Sequence, residues 1–375
     1  MRKSFLLVAL TALAATRPVD LPFEKRTIDL GGNESAAITD LDGDGKVDIV
    51  SGENWYAGPA FKQHRFREIE YANNYVDNFS DLPADFDGDG QTDVVSCAWF
   101  GKSLTFWKNP GKARGMWKPQ MIQEGYNVEF CFLVDLDNDG KALEILPQFG
   151  GLNAPMSWYE YKGGKWVRRQ VAEKSFGHGI GVGDVNGDGR NDILTPTGWF
   201  EAPVDPRTGT WIQHDDFVPM GFKALSFIHV LDVNGDKRPD VIAGNAHDYG
   251  LLYLENLGDG KWKKNVIDES WSQPHAVTLV DLNKDGKMDI LTGKRYMAHN
   301  GKDPGEREPL GIYWYESIVT PGKPVDWARH VVDFSTRTGA GMQIPVADLD
   351  GDGDLDFVTP GKSGLFVFEN KTGNK

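Results

Sequence analysis

The sequence predicts an all-β chain closed into a seven-bladed β-propeller, on three observations. An acidic nine-residue motif returns seven times, strand-like runs flank every copy, and the two chain ends hold complementary pieces of one blade. The copies are DLDGDGKVD (40–48), DFDGDGQTD (85–93), DLDNDGKALE (135–144), DVNGDGRND (184–192), DVNGDKRPD (232–240), DLNKDGKMD (281–289) and DLDGDGDLD (348–356). Their first Asp residues stand 45, 50, 49, 48, 49 and 67 residues apart, close to the period of about 40–50 residues that a propeller blade needs.

Each element of a unit follows from its residues. An apolar run precedes the motif, as in HGIGVG before Asp184 and HAVTLV before Asp281, and an aliphatic run follows it, as in DIVSG, DVVSC or DILTG. Those runs read as first and second strands joined by an acidic turn. An aromatic segment such as LTFWKNP, MSWYEY or GIYWYES supplies the third strand, and KWVRRQV or KWKKNVI the fourth. The last unit stops at LFVFEN, its third strand, while FEKRTIDL near the start resembles an unattached fourth one. Residues 23–30 are therefore expected to complete the last blade and remove the open sheet edges. The long sixth interval places an insertion at KRYMAHNGKDPGEREPLG. An open β-solenoid is the competing architecture.

Composition sets the outer limits. Apolar residues make up 40% and charged residues 25% of 375, enough for a packed core. With 44 Gly, 20 Pro and 43 aromatic residues among Trp, Tyr and Phe, short strands and many turns are favoured over long helices. A net charge of −15 argues against nucleic acid or an anionic membrane as partner and for cations. Arg2 and Lys3, the apolar run from Ser4 to Leu13 and Ala12-Leu13-Ala14 read as a cleaved export signal over residues 1–15, leaving 16–375 as one propeller, secreted or periplasmic. That run is too short to span a bilayer, so no transmembrane segment is expected in the mature chain. Cys97 and Cys131 could pair, or each could be a small buried hydrophobe, since both sit in apolar strand patterns.

The motif D-x-[DN]-x-D-G-x-x-D sets oxygen ligands at positions 1, 3, 5 and 9, with the Gly permitting the sharp turn between them. All-oxygen cages suit calcium rather than softer metals. The expected ligands are Asp40, Asp42, Asp44 and Asp48; Asp85, Asp87, Asp89 and Asp93; Asp135, Asp137 and Asp139; Asp184, Asn186, Asp188 and Asp192; Asp232, Asn234, Asp236 and Asp240; Asp281, Asn283, Asp285 and Asp289; Asp348, Asp350, Asp352 and Asp356. These loops gather nearly half of the 55 acidic residues, whose mutual repulsion structural Ca2+ would relieve. Two copies depart from the pattern: Lys237 replaces the turn Gly in the fifth, and the third has one extra residue before Glu144. Both are expected to be distorted or weak.

DxDGDGxxD behind an apolar strand, recurring over nearly all of the mature chain, resembles the FG-GAP/VCBS repeat family, whose members resemble the seven-bladed heads of integrin α-chains. The resemblance implies the propeller and calcium; it leaves function open.

Because the acidic turns join first and second strands, the opposite rim carries the approach loops and the loops between second and third strands. Six places before each first Asp stand Glu34, Phe79, Glu129, His178, Ser226, His275 and Met342, at the mouth of the inner strand. Four of these seven could bind a metal or move a proton. A second divalent metal at the channel mouth is therefore a further expectation. The loops add Trp55, Trp99, Trp199, His247, Arg295, Tyr296 and His299, and the approach segments add Tyr75, Asn78, Tyr126, Lys223 and Arg337. Aromatic platforms mixed with polar and charged groups suit a carbohydrate ligand, although each loop Trp could equally pack a blade. His229 reads as a core residue, and His64, His214 and His330 as surface residues near outer strands.

Walker, HExxH, nucleophile-elbow and dinucleotide motifs are absent. Two functions of different class remain. The first is a lyase or dehydratase of keto-sugars or uronic sugars; HGIGVGDVNGDGRNDILTPTGWFEAP and QPHAVTLVDLNKDG look similar to the propeller part of aldos-2-ulose dehydratases, which act on keto-sugars. In such chemistry a base removes a proton next to a polarised carbonyl. By position His178, His275 and Glu129 would be metal ligands or acid–base groups, Arg295 and Lys223 would stabilise enolate-like charge, and Tyr296 or Tyr75 would donate a proton. Trp55, Tyr75, Trp99, Trp199, His247 and His299 would bind the substrate. The second function is a non-catalytic module that binds a polysaccharide or a protein partner.

Overall fold

The computed structural model describes residues 20–320 and 322–373. The export signal expected over residues 1–15 lies outside them. Among the described residues the only helical turns are the 3-10 turns Val218–Met220 and Ala298–Asn300, and no helix is long and apolar enough to cross a membrane.

Among the described residues the strands group into seven four-stranded antiparallel units, numbered here in chain order, and one small hairpin of Tyr71–Ala72 and Tyr75–Val76. Unit 2, for example, runs Ser80–Ala84, Asp93–Ala98, Ser103–Trp107 and Pro119–Glu124. The units form a β-propeller. Inner-strand residues Ile38, Leu82, Phe132, Phe227 and Leu279, with Ile344 just before the inner strand of unit 7, come from six different units and line one central cavity of about 420 Å3. Ala36 and Ile49 of unit 1 share a core with Leu349 and Val358 of unit 7, so first and last units are neighbours. The N-terminal strand Phe23–Asp29 pairs antiparallel with Gly364–Asn370, from Phe23 opposite Asn370 to Asp29 opposite Leu365. That strand is the fourth of unit 7.

The ring is irregular at one place. The inner strands of units 4 and 5, His178–Gly183 and Ala224–Leu231, pair in parallel and fuse the two units into one eight-stranded sheet. Alternate glycines in HGIGVG make this approach possible. A Cβ on Gly181 would stand 1.9 Å from the Ile228 carbonyl oxygen, and one on Gly183 would stand 2.5 Å from the Val230 Cβ.

The acidic residue that closes each motif is buried, and in units 1, 4, 5 and 7 it acts as a staple. Asp48 accepts the Leu41 N–H on Oδ2 and the Gly58 N–H on Oδ1, both at 2.9 Å, tying the turn to the third strand's end. Asp192 repeats this with Val185 and Ala202, and Asp356 with Leu349 and Asn370. The two atypical copies keep the same backbone rather than the expected distortion. Lys237 takes a left-handed φ of 69° and donates its N–H to Asp232 Oδ2 at 2.9 Å, as Gly45 does to Asp40. Glu144 spans the extra residue with its longer side chain and accepts the Leu136 N–H at 2.9 Å.

Outer-strand histidines stack on third-strand tryptophans in three units: His64 on Trp55, His214 on Trp199 and His330 on Trp314, with ring centroids 4.6, 4.0 and 3.8 Å apart. His330 is buried by this stacking, not at the surface as expected. His229 lines the central cavity and bonds the Val277 carbonyl through Nε2 at 2.7 Å. Cys97 and Cys131 are both buried free thiols.

Candidate active site

Inner strands run from the approach rim toward the acidic turns, so residues at their starts meet around a narrow mouth. Glu129, His178 and His275, brought there by units 3, 4 and 6, are joined by His247 from the second-to-third-strand loop of unit 5. One ligand atom from each of the four lies within 4.8 Å of all the others. Ring centroids of His178 and His275 are 5.8 Å apart, and His247 stands 4.6 and 4.7 Å from them.

Each member is oriented by its surroundings. His178 Nδ1 donates to the Leu225 carbonyl at 2.7 Å, which turns Nε2 toward Glu129 at 2.9 Å. Burial would lower the His178 pKa, but the Glu129 charge outweighs it and raises it. Burial likewise works against the Glu129 carboxylate; His178 and Arg295 prevail and hold it well below the usual range. His275 is 1% exposed, and neither ring nitrogen has a hydrogen-bond partner among the described residues. Burial first, and the Arg295 charge second, keep it neutral. His247 is pushed down to about 4 by burial and by His178.

Three imidazoles and a carboxylate at this separation form a donor set suited to a divalent transition metal. The orphaned nitrogens of His275 fit that use, because a buried polar atom without a partner is costly. The acidic loops also fit their expected ion: the carboxylates of Asp40, Asp42 and Asp48 lie within 4.8 Å of one another, as do those of Asp85, Asp87 and Asp93 and of Asp135, Asp137 and Asp139. Asp93 Oδ2 and Asp289 Oδ1 are buried without a partner. Each loop also holds a basic side chain: Lys46 on Asp44, Lys108 on Asp87 and Asp89, Arg207 on Asp137, Arg190 on Asp188, Arg238 on Asp236, Lys287 on Asp285 and Lys371 on Asp350.

Arg295 lies behind the cluster, almost fully buried. Its Nε donates to Glu34 Oε2 at 3.0 Å and its Nη1 to Glu129 Oε1 at 3.4 Å. A pocket of about 200 Å3 opens on Glu129 and Arg295, with Tyr75, Phe79, Trp99, Phe100 and His299 among its walls. The Tyr75 hydroxyl accepts the His299 N–H at 3.0 Å, and burial raises its pKa.

Four expected site residues are not brought here. Trp55 is packed among Val50, Phe66 and Trp107, and Trp199 donates its Nε1–H to Asp216 at 3.0 Å within the unit 4–5 core. Both are third-strand residues covered by a fourth-strand histidine, which withdraws them from solvent. Lys223 is exposed, with no ion pair among the described residues. Tyr296 is exposed and lines a different cavity on the same rim. Lys362 stands where Lys223 was expected, its Nζ 3.5 Å from the Tyr75 ring centroid and 3.8 Å from Glu34.

Asp303 carries no motif and escapes sequence reasoning; the length of the unit 6 insertion is the one signal pointing to it. That insertion, residues 294–310, is stitched by buried groups. Lys294 Nζ donates to Ser272 Oγ and the Gly305 carbonyl, and Glu306 accepts the Asp303 N–H at 3.0 Å. Its tip crosses the mouth to unit 2, where Asn300 bonds Asn73.

The chain is 24% identical over 376 residues to cartilage acidic protein 1 of Xenopus tropicalis, covering 92% of this chain and 51% of that one. It is 31% identical over 148 residues to the T-cell immunomodulatory protein homolog of Plasmodium yoelii yoelii, covering 36% and 20%. It therefore spans about half of the first relative and a fifth of the second. Among solved structures, an Agrocybe aegerita lectin that recognises non-reducing terminal N-acetylglucosamine superposes with TM-score 0.49 at 18% identity over 81% of each chain. The V. cholerae biofilm matrix protein Bap1 superposes with TM-score 0.47 at 12% identity over 94% and 89%. Residues 85–146 and 232–292 match the family model described as FG-GAP-like repeat. Those two stretches contain four of the seven acidic turns, so FG-GAP-like repeats account for part of the propeller.

Proposed function

We propose that this propeller is an exported, calcium-stabilised enzyme that eliminates water or an alkoxide from a keto-sugar or uronic sugar. One observation carries the reading: His275, buried with both nitrogens unpartnered, meets His178, His247 and Glu129 at a pocket that also holds Arg295, Tyr75 and His299. A divalent cation held by the four would supply Lewis acidity toward a substrate carbonyl or carboxylate oxygen. Arg295 adds fixed positive charge where the enolate-like oxygen develops. His299 gives its Nδ1–H to Asp303 at 3.0 Å, leaving Nε2 to take the proton from the carbon beside the carbonyl. The C–O bond on the next carbon then breaks, and the departing oxygen takes its proton from the Tyr75 hydroxyl, which burial keeps protonated. The product is an unsaturated sugar.

The stretch similar to aldos-2-ulose dehydratases supplies His178, and the QPHAVTLV copy supplies His275. Incubation with keto-sugars and with uronate oligosaccharides is expected to raise the ultraviolet absorbance of a conjugated product. Chelation and His299→Gln should each abolish that signal. A flat trace across both substrate sets sinks the reading. Binding of a polysaccharide without turnover is the second reading, favoured by a cavity on the same rim, about 650 Å3, that is larger than the pocket at the cluster.

A further inference from the structure

The larger cavity lies between units 6 and 7, with Tyr296, Glu308, Arg337, Lys362 and Ser363 among its walls. Its volume, about 650 Å3, is in the range of small-ligand sites. Lys362, in its wall, adjoins the cluster pocket: its Nζ stands over the ring of Tyr75, which lines that pocket. A ligand filling one cavity would therefore have its next unit within reach of the other.

The lining is built for an anion carried on a ring. Tyr296 is 38% exposed and offers an open aromatic face. Arg337 is exposed on a backbone at φ 71°, beside Ser335 at φ 61°, and has no ion pair among the described residues. That left-handed conformation is unfavourable for both residue types. Lys362 Nζ donates to the Met297 carbonyl at 2.5 Å, but the one carboxylate it approaches among the described residues is Glu34, at 3.8 Å, which Arg295 already holds at 3.0 Å. Ser363 Oγ is buried without a hydrogen-bond partner. Two cations lacking a counter-charge of their own, an orphaned hydroxyl and an exposed ring thus converge on one space. In a chain of net charge −15, such a site selects against general cation binding and for a carboxylate.

We propose that this cavity is a subsite for a hexuronate residue linked to the sugar held at the cluster, so that the ligand is an acidic oligosaccharide. The inference rests on the carbohydrate reading above and names its substrate class. The test uses a panel of 1,4-linked hexuronate dimers and trimers beside the same oligomers with their carboxyls reduced to alcohols, titrated by calorimetry. The wild-type protein should bind at least one acidic oligomer tenfold or more tightly than its reduced counterpart. Arg337→Gln should remove that preference, and Tyr296→Ala should weaken acidic and reduced oligomers alike. Metal content should stay at the wild-type value in both exposed-site variants. Equal affinity for acidic and reduced oligomers, no binding across the panel, or an Arg337→Gln protein that keeps the preference would overturn the subsite. If acidic oligomers bind with the expected preference while no unsaturated product forms, the subsite stands and the elimination reading fails.

Discussion

Asp303 grips two imidazoles at once: Oδ2 accepts the His247 Nδ1–H at 2.9 Å, and Oδ1 accepts the His299 Nδ1–H at 3.0 Å. The two rings stack with centroids 4.3 Å apart. One carboxylate from the unit 6 insertion thus fixes which nitrogen each histidine presents. His247 offers Nε2 to the cluster, and His299 keeps Nε2 free beside the pocket.

Asp303→Asn removes the acceptor that sets both tautomers without changing the side chain's size. Affinity for Zn2+ or Mn2+, read by competition with a chromophoric chelator, should fall about 10–100-fold, the usual cost of losing a carboxylate behind a ligating histidine. The melting temperature should change little, since Asp303 lies at the rim. Unchanged metal affinity would mean that the insertion merely covers the mouth.

Gly181 is required by the parallel pairing of the two inner strands. Gly181→Ala places a methyl group 1.9 Å from the Ile228 carbonyl oxygen. The expected loss is about 3 kcal/mol or more, because backbone rather than a flexible side chain must move. Gly187→Ala is a comparison in an open turn, with no atom within 4 Å of the new carbon; its cost should be about 1–2 kcal/mol, from a φ of 79° alone. Equal urea midpoints for the two variants would contradict the fused-sheet account.

Removing Phe23–Asp29 deletes the fourth strand of unit 7 and uncovers the edge of Gly364–Asn370. The deleted chain should melt about 10 °C or more below the intact one and associate in a concentration-dependent way, as open apolar edges do. Light scattering against concentration checks this. A monomeric truncated chain with an unchanged melt would show that the strand is dispensable.

The ring was legible because its information repeats. Asp48, Asp192 and Asp356 do the same task at the same offset, and a register kept seven times cannot arise from turn preference alone. Repeat alignment likewise put Glu129, His178 and His275 on one rim, since equivalent positions around a ring converge. Asp303 was hidden because an insertion has no equivalent in the other units. Trp55 and Trp199 were misplaced for a related reason: in the sequence they look like loop aromatics, and only the histidine of the fourth strand reveals that each is covered. His247 shows a third case, a loop residue read as a ligand contact that the structure gathers with the metal-capable side chains.

The position 9 carboxyls make the last prediction, and its sign can be worked out. Burial, the largest cause, pushes Asp93, Asp289 and Glu144 up to about 7 and Asp192, Asp240 and Asp356 up to about 6. In the unfolded chain these groups titrate near 4. The folded state therefore holds the extra protons, and the stability they provide is fully present below about pH 4 and lost as pH rises through 6 to 7. A bound cation reverses the preference, because it favours the ionised carboxylate that burial penalises. In EDTA the melting temperature should fall by about 5 °C or more between pH 5 and pH 8, a loss of a few kcal/mol spread over six groups. In millimolar calcium the same pH change should leave the melt level or raise it. Calorimetric melts at both pH values, with and without calcium, read the four corners of this cycle. Parallel pH slopes in EDTA and calcium would mean that the acidic turns fold without the ion, and the staples formed by Asp48 and its equivalents would then be the reason the motif recurs.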